Sequence, residues 1–63
     1  MAQRTVEYRI STHCNGEWRV LRQGIVMAIR NDLFDAVDIA THFAEREIGS
    51  KGTDARVVLE GAH

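Results

Sequence analysis

The stretch HCNGEWRV, His13 to Val20, sets a histidine beside the one cysteine of the chain, then an Asn-Gly pair, then its one tryptophan. Two readings compete for it: a reactive or metal-binding site, or the turn of a hairpin. The flanking residues favour the hairpin. Before it, Val6, Tyr8 and Ile10 alternate with Glu7, Arg9 and Ser11, the period of a strand with one buried face. After it, Trp18 and Val20 alternate with Glu17, Arg19 and Leu21, and Asn-Gly between two such runs is a strong turn signal.

The length of the turn decides which face is buried. A two-residue Asn15-Gly16 loop pairs Ile10 with Leu21 and sends Trp18 and Val20 to the face opposite Tyr8 and Ile10. A three-residue loop, Cys14 to Gly16, pairs Ile10 with Val20 and Thr12 with Trp18, so the large apolar residues share one face. Slipping the register by one residue flips every side chain, and a split core is the costlier outcome. Such loops often end in a left-handed residue, a place suited to Gly16. The three-residue loop is therefore expected. A second turn at Gln23-Gly24 pairs Val20 with Met27 and Trp18 with Ile29, adding Ile25, Met27 and Ile29 to the same face.

From Asp32 the period changes to that of a helix. Leu33, Ala36, Val37, Ala40, Phe43, Ala44 and Ile48 form one stripe, with Asp35, Asp38, His42, Glu45 and Arg46 opposite. Asp32 suits the N-cap, Asp35 suits the positive end of the helix dipole, and Gly49 is the expected stop. A loop, GSKGTD, then leads to a short fourth strand in ARVVLEG, with Ala55, Val57 and Leu59 inward. The expected fold is α+β, in the order β-β-β-α-β, with one helix packed on one face of a mainly antiparallel sheet. Sending the helix back across the sheet pairs the fourth strand in parallel with the first, giving strand order 3-2-1-4 through a right-handed crossover.

Composition bounds the function. Sixty-three residues make one small domain, residues 1–63, with a marginal core. Cys14 has no partner for a disulfide, so association between copies is an expected source of extra stability. The free thiol and the lack of a leader pattern point to a reducing, cytoplasmic setting. No apolar run approaches the ~20 residues of a membrane span. Residues 1–30 carry five arginines against two glutamates, whereas residues 31–48 carry five acids against Arg46, so the net charge of −1 hides a basic half and an acidic half.

The short motifs that carry this pattern are a Gly-x-Trp-x-Val hairpin (Gly16, Trp18, Val20), an alanine stripe (Ala36, Ala40, Ala44) and a Val-rich end (Val57, Val58, Gly61). In these the chain resembles a family of short bacterial domains of unknown function with a ββ(β)αβ order, although Asp32 stands where that family usually caps its helix with Thr or Ser. More loosely, the element order is similar to HicB-type antitoxins, which have a partial ribonuclease-H-like fold. That second resemblance implies a regulator, but no segment here corresponds to the DNA-binding part those antitoxins usually carry.

Chemistry in the usual sense finds little support. His13, Cys14, His42 and His63 lack the spacing of a zinc site. Cys14 sits at a turn without an evident base or cleft, Asp35 and Asp38 belong to a solvated helix turn, and Gly49 and Gly52 follow a helix rather than open one. A ribonuclease-H-like nuclease needs acids converging beside the helix, and Glu7 is expected on the other face. No catalytic, cofactor or metal residues are assigned. The remaining candidate is the uncovered sheet face, where Arg9, Arg19, Arg30 and Arg56 surround Leu21, Val26, Ala28 and Val58. Arginines around an apolar patch suit a homodimer or another protein partner, bound through this open face or through an edge strand. Arginines on phosphates, in a nucleic-acid binder or antitoxin-like regulator, are the alternative. Glu7, Glu17 and Glu60 on the same face, the lack of an aromatic there and the negative net charge weigh against it.

Overall fold

The computed structural model describes residues 5–13 and 15–60, so Cys14, Gly61 and His63 lie outside the described residues. Five elements follow in order: β1 (Thr5–Thr12), β2 (Trp18–Arg22), β3 (Ile25–Arg30), α1 (Leu33–Lys51) and β4 (Asp54–Leu59). They build one four-stranded sheet ordered β3-β2-β1-β4, with β1 antiparallel to β2, β2 antiparallel to β3, and β4 parallel to β1. The α+β class, the element order and the strand order are those expected from the pattern. Val6, Tyr8, Ile10 and Val20 from the sheet meet Ala36, Ala40 and Ala44 from α1 in the core.

The first hairpin has the expected register. Ile10 lies opposite Val20 and Thr12 opposite Trp18. The His13 N–H donates to the Glu17 carbonyl at 2.9 Å, and Gly16 takes a φ of 76°, a conformation that costs glycine nothing. Burying Ile10 and Val20 together, both without solvent exposure, is what makes this register win over the split-core alternative.

The second hairpin departs from expectation after two residue pairs. Gln23 and Gly24 both have positive φ, the twist that suits a two-residue turn, and Arg22 faces Ile25 and Leu21 faces Val26 as expected. The register then shifts between Val20 and Leu21. Val20 lies opposite Ala28 rather than Met27, and Trp18 opposite Arg30 rather than Ile29. Met27 is the extra residue of a bulge, and it stays on the helix side beside Tyr8 and Phe43. Beyond it the faces exchange. Ala28 packs toward the core and Arg30 follows it to the helix side, while Ile29 turns to the open side opposite Arg19.

The helix also differs at its end. Asp32 caps it as expected, its Oδ2 accepting from the Asp35 N–H at 3.2 Å. The stop is Gly52, not Gly49: Gly52 has a φ of 64° and its N–H donates to the Ile48 carbonyl at 3.1 Å. The geometry of a parallel return explains the extra turn. Asp54 must start beside Thr5, at the far end of β1 from the start of α1. At about 1.5 Å per residue the helix gains roughly 4 to 5 Å from its last three residues, and the connection shrinks to Gly52 and Thr53.

Val37, Ile48 and Leu59, expected inward, are more than a third exposed, as are Ile25, Met27 and Ile29. A helix about 10 Å across cannot cover four strands spaced about 4.8 Å apart. It packs mainly over β4 and β1, and apolar side chains toward the sheet's margins remain in contact with solvent.

Candidate interaction surface

Four of the five arginines in the sheet are held by carboxylates. On the open side the Glu7 carboxylate accepts from Arg9 at 2.8 Å and from Arg56 at 2.9 Å, its opposite neighbour on β4. Arg9 also lies 3.8 Å from Glu60, and Arg19 lies 3.5 Å from Glu17. The hydrogen bonds from Arg9 and then Arg56 hold the Glu7 carboxyl below its usual range, and the carboxylate in turn raises Arg9. These groups are exposed or half-exposed, so they contribute little to stability. Their effect is on chemistry: Glu7 is a poor proton donor near neutrality, and the guanidinium groups already have anionic partners.

Six of the eight candidate residues lie on the open side. Arg9, Arg19 and Arg56 form the ion pairs just described, Leu21 lies between Arg9 and Val26, and Val58 lies opposite Arg9. Ala28 and Arg30 do not belong there, because the bulge carries both to the helix side. Ala28 is packed against the core, and Arg30 Nη1 donates to the Ile29 carbonyl at 2.8 Å. Ile29 takes their place on the open side, 45% exposed. The open side is therefore divided. Its β1 and β4 half carries alternating charges around a groove of ≈ 520 Å³ lined by Glu7, Arg9, Ser11, Leu21 and Glu60. Its β2 and β3 half carries Leu21, Val26 and Ile29.

The helix side has a second feature, absent from the expectations. Glu47 is only 6% exposed, beneath α1. Its Oε1 accepts from Tyr8 Oη at 2.8 Å and from Arg22 Nε at 3.2 Å, and its Oε2 accepts from Arg22 Nη2 at 3.1 Å. A buried carboxylate needs such partners. Burial, then the hydrogen bond to Glu47, raises the Tyr8 phenol, whose ring stacks on Phe43 with centroids 5.9 Å apart. The same carboxylate raises Arg22. Signals for the cluster were present: Arg22 follows Val20 by two residues on its strand, and Glu47 follows Ala40 by seven and Ala44 by three. Beside it a hollow of ≈ 320 Å³ opens toward the start of β3, lined by Tyr8, Arg22, Ile25, Met27, Phe43 and Ser50.

The apolar half of the open side and this hollow meet at β3. Ile25 is 66% exposed, and Val26, Met27 and Ile29 are each exposed as well. Among the described residues no group of histidine, cysteine, aspartate and glutamate is placed to hold a metal ion, and no helix is long and apolar enough to cross a membrane. No protein-family model, curated protein or solved structure gives a significant match to this chain.

Proposed function

We propose that this chain is a non-enzymatic protein-interaction module, at work in a reducing, cytoplasmic setting, and that it binds through the β3 side of its sheet. The observation that carries the reading is the concentration of exposed apolar side chains on that one strand. Ile25, Val26, Met27 and Ile29 are half of the exposed large hydrophobics among the described residues, and all four lie on a six-residue edge strand. Edge strands are ordinarily blunted by proline, charge or a covering loop. β3 has no proline and no charge before Arg30, and its bulge leaves apolar side chains on both sides. Leu21 extends the patch inward, and Arg19 and Arg9 border it, an apolar centre with an arginine rim.

The same reading places the chain beside the short bacterial domains that its motifs resemble. Support comes from the structural work of the matching residues: Gly16 makes the turn, Trp18 and Val20 face the helix, and Ala36, Ala40 and Ala44 line the close helix–sheet contact. The nucleic-acid alternative, with an antitoxin-like regulator, draws less support. Phosphate would have to displace Glu7 or Glu17 from arginines they already engage.

The test is capture from an extract of the source cells by immobilised protein and by its Ile29→Glu variant. The wild-type chain is expected to retain specific protein, and the variant to lose it. An identical retained set from both overturns the reading.

A further inference from the structure

The two faces of β3 restrict what can pair with it. A two-residue turn makes Arg22 and Ile25 a hydrogen-bonded pair, so Val26, one residue on, directs its N–H and C=O away from β2. Beyond the bulge Ile29 stands in the same phase, and both residues lie on the open side. Ile25, Met27, Ala28 and Arg30 lie on the helix side. An antiparallel copy of the same strand fits this pattern about a twofold axis. In one register Val26 faces the partner's Ile29, Met27 faces the partner's Ala28, and Ile25 faces the partner's Arg30. Every pair then shares a side, and the outward N–H and C=O groups of Val26 and Ile29 meet their complements. A shift of one residue either way sets open-side residues against helix-side ones. The bulge, which spoils the strand for a regular partner, is matched by an identical bulge.

We infer that the partner of β3 is a second copy of this chain, joined β3 to β3 in antiparallel register into a continuous eight-stranded sheet with both helices on one side. The inference rests on β3 being the interaction site. It is tested by sedimentation velocity of the purified full chain across the micromolar range, beside the Val26→Pro and Val58→Glu variants. Proline at 26 keeps an apolar side chain and removes an N–H that β2 does not use. Twofold mass for wild type and V58E, with loss of the dimer in V26P at an unchanged circular dichroism spectrum, is the expected result. A V26P dimer, or loss of the dimer in V58E alone, overturns edge pairing. A wild-type monomer throughout overturns the second copy, while capture from extract still judges β3 as a binding site. Hydrogen exchange supplies a readout without substitution. The Val26 and Ile29 amides are expected to gain protection as protein concentration rises, and exchange independent of concentration overturns the inference.

Discussion

Glu47 shows what one residue does when its position is chosen by a helix stripe rather than by its own chemistry. At helical spacing from Ala40 and Ala44 it enters the covered side of α1, where an unpaired carboxylate is costly. Tyr8 and Arg22 meet it there with three hydrogen bonds. Tyr8→Phe keeps the stacked ring and removes one of them, and it is expected to destabilise the domain by about 1–2 kcal/mol in urea unfolding. Its pH dependence has a defined sign. A phenol raised in the fold contributes stability that is complete below its unfolded value of 10.0 and is lost as pH rises through the higher folded value. The wild-type domain therefore loses this stability in alkali and Tyr8→Phe does not, so the gap between them closes above that pH. Glu7 works in the opposite sense. Its lowered carboxyl contributes above the unfolded value of 4.5, and the contribution disappears as pH falls through the lower folded value. Glu7→Gln is expected to flatten the acid side of the stability curve, read by thermal melts on either side of that range.

At the scale of the element, α1 and β3 each depart from their local pattern at a glycine or an apolar run. Both Gly49 and Gly52 are chemically able to end a helix, and nothing local to either says which does. The return to the start of β1 selects Gly52. Two substitutions with the same chemistry thus differ in sign. Gly49→Ala adds a methyl group to a helix interior with open space around it, and it is expected to stabilise by about 0.5–1 kcal/mol. Gly52→Ala forces a side chain into the left-handed region and is expected to destabilise by about 1 kcal/mol. Equal effects in denaturant titrations would place the helix end elsewhere. In β3 the run Ile25 to Ile29 is apolar at every position, so it has no alternation to reveal an inserted residue. The bulge at Met27 is invisible there, and with it the exchange of Ala28 and Arg30 for Ile29.

For the whole molecule, the balance is between one helix and a sheet wider than it can cover. The core is small, and a domain of this length holds roughly 3–9 kcal/mol in total. Ile10 is fully buried at its centre, and Ile10→Ala is expected to cost about 3 kcal/mol, enough to leave a large unfolded fraction at ambient temperature by circular dichroism. The uncovered margin is the other side of that balance. A partner on β3 removes Ile25, Val26, Met27 and Ile29 from water, so a self-associated form has a melting temperature that rises with protein concentration.

Hydrophobic periodicity, with the turn and cap residues and the right-handedness of a parallel crossover, determined the element order, the three-residue turn, the first-hairpin register, the Asp32 cap and the strand order. Each follows from local spacing or from keeping apolar residues on one face, and both are written along the chain. The open side and its arginines at 9, 19 and 56 were legible for the same reason. Only the tertiary structure decided the bulge, the true helix end, the carboxylate pairing of the arginines and the Tyr8–Arg22–Glu47 cluster. Those depend on distances between segments far apart in sequence, and on how much of a four-stranded sheet a single alanine-lined helix can shield.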